Sequence, residues 1–388
     1  MPKAATPLDL VIVDDEPQVT AALTREIGLR YPAGSVTLCP FNDPRSALAY
    51  VQDKGDQVFM VISDLRMPGL SGAELLEAIR RHNPLVQTTL LTAYSDMDDI
   101  SRAVSASIRS LLLKPWNQDR LYAEIDAALN EFTLRRENVR LKAELEFQLD
   151  TAGDFQRRLL DLRSLPLVWP EIEVKYLPVQ RYGCSGDYYD VFKLPDGRVV
   201  LLLGDVAGHG IRSALITMMI KTLALGYRLG DQAVFASPSA LLERLNRDLH
   251  HILAGATNCW TAFAAVIVNR TDKEISISNA GLPAAILRRQ HGELVTLAKD
   301  GLVLAFADDS RYRETTLPIA AGDSLFLSSD GLTENKATGQ TLEVEAANRL
   351  VGECLASGGD AQLLLDRFRE LQPGQAFTDD VSVLIARF

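Results

Sequence analysis

Ser328-Ser329-Asp330-Gly331-Leu332 closes one apolar run, Leu325 to Ser328, and Thr378-Asp379-Asp380-Val381-Ser382-Val383 opens another. Two upstream stretches share this form: Gly186-Asp187-Tyr188-Tyr189-Asp190, and the run Val199 to Leu203 that leads into Gly204-Asp205-Val206. Acids at the tips of apolar runs predict strands whose ends gather four carboxylate groups. Such a cluster is hard, oxygen-only and self-repelling, so it is expected to be tolerable at neutral pH only with divalent cations such as Mg2+ or Mn2+. Around it, Cys259 to Val268, Glu274 to Ser278 and Val381 to Ala386 read as further strands. Amphipathic helices fall between Ser213 and Leu253, and Ala361 to Leu371 reads as a late helix. This half of the chain is therefore α+β with mainly antiparallel sheets.

Nearer the N-terminus the pattern changes. Leu10-Val11-Ile12-Val13, Val58 to Ile62, Thr89-Leu90-Leu91 and Leu111-Leu112-Leu113 are continuous apolar runs, suited to strands covered on both faces. Between them lie helical patterns such as Glu74 to His82, with Leu75, Leu76 and Ile79 at helical spacing, so the reading is repeated βα units around a parallel sheet. Reactive groups in such sheets gather at the carboxyl ends of the strands. Asp14-Asp15, Asp64, Thr92 and Lys114 each follow or end one of these runs, which places them at one sheet edge. Asp14 and Asp15 beside Asp64 can hold Mg2+ so that an aspartate here can accept a phosphoryl group, while Lys114 pairs with the phosphoryl oxygens and the Thr92 hydroxyl bonds to them.

From about Gln118 to Leu162 the composition is that of one long helix. Leu134, Asn138, Leu141, Leu145, Gln148, Ala152, Phe155, Leu159 and Leu162 hold a 4-3-4-3 spacing. That seam predicts a coiled coil and a homodimer through the linker, with Asn138 favouring a parallel pair and Glu137 and Lys142 on the flanks. The plainer alternative is a solvated linker helix broken at Gly153. The expected division is residues 1–125, a helical linker 126–165, and 166–388.

At 388 residues two domains are the natural expectation, and 47% hydrophobic with 23% charged residues is ordinary soluble composition. No targeting segment or membrane-length apolar run is visible, and Cys39, Cys184, Cys259 and Cys354 lack paired spacing, so a cytoplasmic location with reduced thiols is expected. Net charge of −11 argues against nucleic-acid and anionic-membrane partners.

For the C-terminal cluster the chemistry predicted is phosphate-ester hydrolysis by metal-activated water at two Mn2+ or Mg2+ ions. Asp205 is the natural shared ligand, Asp330 and Asp379 complete one ion's shell, and Asp187 or Asp190 with the Val206 carbonyl serves the other. Asp380 adjoins Asp379 and is the alternative to it. His209, His250-His251, Trp260 and Tyr188-Tyr189 are read as backbone-shaping, surface or packing residues, and Cys184 as a structural thiol.

Residues 9 to about 125 resemble a response-regulator receiver domain, on Asp14-Asp15, Asp64-Leu65-Arg66-Met67-Pro68-Gly69, Thr92 and Lys114-Pro115-Trp116. The resemblance implies a doubly wound five-stranded parallel sheet, Asp64 as phosphoacceptor, Asp14 and Asp15 as Mg2+ ligands, and a sensor histidine kinase or other phosphodonor as partner. Leu111 stands where such domains usually carry an aromatic, so signalling is expected through Thr92 and the loop after it, or through dimer contacts feeding the helical linker.

Residues 155 to 388 resemble the bacterial type 2C-like Ser/Thr phosphatases of the sporulation stage II E and RsbU class. The resemblance runs from Gln156-Arg157-Arg158-Leu159-Leu160 through Gly186-Asp187-Tyr188-Tyr189-Asp190, Gly204-Asp205-Val206-Ala207-Gly208-His209-Gly210, Asn279-Ala280-Gly281 and Ser329-Asp330-Gly331-Leu332-Thr333-Glu334 to Thr378-Asp379-Asp380. Ser185 and Leu282 depart from the usual glycine and histidine. The class implies an antiparallel β-sandwich flanked by helices and a phosphorylated anti-sigma factor antagonist as substrate. The fused layout also resembles the RssB group of response regulators, which implies the rival role of a phosphorylation-gated adaptor that binds a sigma factor for proteolysis.

Overall fold

The computed structural model describes residues 7–31, 34–93, 108–160, 169–178, 183–208, 210–254, 256, 259–297 and 301–388. His209, Leu162 and the loop after Thr92 lie outside the described residues. The chain divides into two compact units, Met1–Glu144 and Leu145–Phe388.

In the first unit, β1 (Leu8–Val13), α1 (Pro17–Arg30), β2 (Val36–Phe41), α2 (Pro44–Lys54), β3 (Val58–Asp64), α3 (Gly72–His82), β4 (Gln87–Ala93) and β5 (Ser110–Lys114) follow in order. They form a parallel five-stranded sheet, β2-β1-β3-β4-β5, as the alternating pattern predicts. All seven residues of β3 are buried, which is why its run carries no polar alternation. Its residues feed two separate cores, Met60 and Ile62 in one and Val61 in the other. Helix α3 starts at a capping box: the Ser71 hydroxyl accepts from Glu74 N (3.3 Å) and the Glu74 carboxylate accepts from Ser71 N (3.0 Å).

The long helix is α4, Gln118–Leu159, 42 residues. Leu121, Ile125, Ala128 and Phe132 are buried in the first unit's core, so its opening turns belong to that fold. Leu134, Leu141, Leu145 and Phe155, all on the predicted heptad seam, are exposed. The expected break at Gly153 is absent, and the helix runs through that glycine. A Cβ there would lie 2.6 Å from the Gly183 carbonyl carbon, so glycine lets the helix touch the neighbouring loop.

In the second unit come β6 (Glu171–Leu177), β7 (Asp187–Lys193), β8 (Val199–Val206), α5 (Ile211–Gly230), α6 (Pro238–Ile252), β9 (Thr261–Asn269), β10 (Glu274–Ala280), β11 (Ala285–Arg288) and β12 (Leu294–Leu297). Then follow β13 (Glu314–Pro318), β14 (Ser324–Ser328), β15 (Glu334–Asn335), β16 (Gln340–Thr341), α7 (Val344–Ala356), α8 (Ala361–Leu371) and β17 (Val381–Arg387). Two antiparallel sheets, β13-β10-β9-β8-β7 and β12-β11-β14-β17-β6, pack face to face. Strand alternation builds the layers: Leu201 and Leu203 of β8 face the other sheet, while Val200 and Leu202 face α5 and α6. The outer face of the second sheet is covered by α7 and α8. Among the described residues no helix is long and apolar enough to cross a membrane.

Candidate active site

In the first unit Lys114 sits at the end of β5 and pairs with Asp14 (Nζ to Oδ2, 2.7 Å) and with Asp64. The other oxygen of Asp14 accepts from Glu16 N (3.0 Å), and Asp64 Oδ2 accepts from Arg66 N (2.8 Å). Both carboxylates are thereby oriented before any ligand arrives. Burial works to lower the Lys114 pKa, yet the two carboxylates outweigh it and hold the pKa above its ordinary value. Asp15 follows on the exposed turn, and Thr92 is buried at the end of β4, where Ala93 is in register with Lys114. The donors gathered here, carboxylates with an ammonium alongside, fit Mg2+ and a phosphoryl group in kind.

In the second unit the alternation that fills the sandwich also aims the acids. Asp187 and Asp205 are register partners at one end of β7 and β8, on the face turned toward the other sheet. Asp330 follows β14, and Asp379 and Asp380 precede β17, the strand paired with β14. Gly331 allows that junction, because a Cβ would lie 2.1 Å from the Asp380 carbonyl oxygen. Burial, then the charges of Asp380 and Asp330, push the Asp187 carboxyl up to about 8, although the nearby Ser382 and the hydrogen bond from Ser329 work the other way. Burial and the nearby Asp187 and Asp330 likewise raise Asp205 well above the carboxylate range, and Asp330 shares a hydrogen bond with it.

Each acid has a distinct setting. Ser329 Oγ donates to Asp187 Oδ2 (3.0 Å), Gly186 N donates to Asp380 Oδ2 (3.3 Å), and Lys336 pairs with Asp379. Asp330 Oδ1 is buried and has no hydrogen-bond partner, the mark of an oxygen that awaits a cation. The Val206 backbone lies against Gly186, its N–H donating to the Gly186 carbonyl (3.0 Å). With the side chains turned to these partners, no three of the acids among the described residues converge on one point as a ready-made ion cage. The donor set still suits Mg2+ or Mn2+ in kind, being all hard oxygen with one orphaned. Beside any divalent cation, the Lys336 ammonium at Asp379 also offsets part of the repulsion.

Asp190 is not brought to the cluster. Three residues after Asp187 on the same strand, it points to the helix side, where Lys221 of α5 pairs with it (2.9 Å) and Tyr188 Oη donates to it (3.2 Å). Ser185, one of the two departures from the family pattern, accepts from Asp187 N through its hydroxyl (3.0 Å) and so fixes the start of β7. Leu282, the other, is buried, its N–H held by Asn279 Oδ1 (2.9 Å). Cys184 is buried, and burial raises its pKa, as befits a packing thiol. Trp260 is 39% exposed beside the Ala207 turn, so it is no core residue.

Sequence reasoning missed three participants: Gln156, Ser329 and Lys336. Gln156 of α4 is buried, with Nε2 donating to the Ser185 carbonyl (2.8 Å) and to Thr217 Oγ1 of α5 (2.7 Å), while Oε1 accepts from Ser185 N (3.1 Å). A polar residue amid the apolar spacing of the α4 C-terminus was the available signal.

Residues 195–388 match the Stage II sporulation protein E (SpoIIE) family, and residues 10–126 match the response regulator receiver domain. The chain is 26% identical over 254 residues to the phosphoserine phosphatase RsbU of Bacillus subtilis (strain 168), a match covering 64% of this chain and 72% of RsbU. It is 26% identical over 200 residues to the phosphoserine phosphatase RsbP of the same organism, covering 50% of this chain and 48% of RsbP. The chain thus spans only about half of RsbP. Among solved structures, the SiaA-PP2C domain of Pseudomonas aeruginosa shares the fold at a TM-score of 0.54 and 22% identity, over 64% of this chain and 98% of that one.

Proposed function

From a chain that belongs to the SpoIIE family and carries a receiver domain before its phosphatase-type domain, we propose a phosphorylation-controlled, Mg2+- or Mn2+-dependent protein serine/threonine phosphatase. The observation that supports this reading is that Asp187, Asp205, Asp330 and Asp379, from four separated strand ends, lie near enough to perturb one another, though not in one ready cage. Asp205, Asp330 and Asp379 would hold one ion, and Asp187 with the Val206 carbonyl a second, Asp380 being already engaged by Gly186 N. When bound, such ions polarise a phosphoryl group and make water a nucleophile near neutral pH. The chain's own part is orientation: Ser329 fixes Asp187, and Gly186 fixes Asp380.

Control enters through Asp64, with Mg2+ on Asp14, Asp15 and Asp64, phosphoryl transfer from a kinase or small phosphodonor, and Lys114 and Thr92 reading the product. Helix α4 links the two units in sequence, and its exposed seam of Leu134, Leu141, Leu145 and Phe155 supports pairing with a second copy. RsbU and RsbP are named for phosphoserine, and a phosphorylated anti-sigma factor antagonist is the substrate proposed here.

The test is Mn2+-dependent phosphate release from phosphoserine proteins, with and without acyl phosphate. Turnover by the wild type that Asp205→Ala abolishes, and a response to acyl phosphate that Asp64→Ala abolishes, are expected. No release above the Asp205→Ala background would leave the adaptor role as the better reading.

A further inference from the structure

Lys336 is held at the carboxylate cluster by more than its charge. Its backbone N–H donates to Thr378 Oγ1 (2.9 Å), one residue before Asp379. The preceding Asn335 is buried, accepts from Ala337 N (3.1 Å) and Thr338 N (3.0 Å) through Oδ1, and donates to Gln372 Oε1 (3.2 Å). Gln372, also buried, donates in turn to the Leu332 carbonyl (3.2 Å), two residues past Asp330. The short β15–β16 hairpin is thus pinned to the two loops that bear Asp330 and Asp379, and Lys336 is the residue it presents to Asp379.

An ion pair whose ammonium side chain is 51% exposed is a weak reason for so much fixed backbone. The arrangement makes sense for a cation that must stand at a set place yet change partner. A phosphate monoester is an anion, and a mouth lined with carboxylates repels it until the local sign is reversed. Lysine suits the task, being a compact point charge with three rotating donors on a flexible stem, and a frequent phosphate binder. The field that holds it comes from Asp379, Asp330 and Asp205 together, the same acids that would take up the divalent ions.

Resting on the phosphatase reading, we infer that Lys336 is the substrate's phosphoryl ligand: its ammonium leaves Asp379 as that carboxylate takes up a cation, and pairs with the phosphate of the incoming phosphoserine or phosphothreonine. The probe is inorganic phosphate, titrated calorimetrically into the full chain with saturating Mg2+, for the wild type, Lys336→Met and Lys336→Arg. Lys336→Met should weaken phosphate binding about tenfold or more, and Lys336→Arg by less than about threefold, since the lost contact is a charge-assisted one. Uptake of Mg2+ without phosphate should hold or tighten in Lys336→Met. Equal phosphate binding by wild type and Lys336→Met overturns the inference and leaves the phosphatase reading standing if the wild type turns over substrate. Loss of Mg2+ uptake in Lys336→Met also overturns it, since Lys336 would then be supporting the carboxylates. A wild type that neither binds phosphate nor releases it from phosphoserine overturns both readings.

Discussion

Gln156 and Ser185 bond to each other in both directions, the Gln156 amide donating to the Ser185 carbonyl at 2.8 Å and accepting from the Ser185 N–H at 3.1 Å. Ser185 in turn receives Asp187 N on its hydroxyl, so two hydrogen-bonded steps join the last turns of α4 to a carboxylate of the cluster. A change in the set of that helix therefore has a short route to the site. Gln156→Leu should strand the buried Ser185 N–H and carbonyl and destabilise the phosphatase domain by roughly 2–4 kcal/mol. Phosphate release should fall at least about tenfold and lose its response to acyl phosphate. Thermal melts and release assays on the full chain check this, and unchanged values would remove Gln156 from the route.

At Gly153 two effects compete. Alanine would favour the helix by about 1 kcal/mol, but its Cβ would stand 2.6 Å from the Gly183 carbonyl carbon and 2.8 Å from its oxygen. Overpacking of that kind costs about 1–3 kcal/mol, so the contact wins. Gly153→Ala should lower the melting temperature of the phosphatase domain, whereas a helix-limited site would show a rise.

Metal removal should make stability depend on pH in a particular direction. The folded Asp187 carboxyl stands at about 8 against an ordinary 3.8, so the folded chain keeps a proton that the unfolded chain gives up. That stabilisation is full below about pH 4 and is lost as the pH climbs toward about 8. In chelator the melting temperature should drop by at least about 5 °C from pH 5 to pH 8, and Mg2+ should restore it at the alkaline end. A melting temperature in chelator that does not change with pH would contradict the environment described for Asp187.

Much of this was readable without coordinates, for reasons that differ by residue. Asp14, Asp64 and Lys114 sit at strand ends because continuous apolar runs announce parallel strands, and such strands deliver their last residues to one edge. Asp205 and Asp330 were legible because each ends an apolar run, although antiparallel strands follow no single-edge rule and the two lie in different sheets. Asp190 shows a signal left unused: three positions from Asp187 in a strand means the opposite face. Helix α7 went unread, while α8 matches its predicted span of Ala361–Leu371. Lys336 lies beyond any pattern, and Gln156 showed only its polarity amid an apolar spacing, because their partners are 29 and 43 residues away and a period says nothing of what a side chain meets across a tertiary contact.

Strand β17 fills an interior place in its sheet, between β14 and β6, although it follows both in the chain. A polypeptide broken anywhere before Val381 would leave two naked edges facing a slot, the kind of surface that recruits strands from other molecules. It would also lack Asp379 or the strand that seats it. Unfinished or clipped copies should therefore be prone to clump, since the last strand made is the one that closes the sheet.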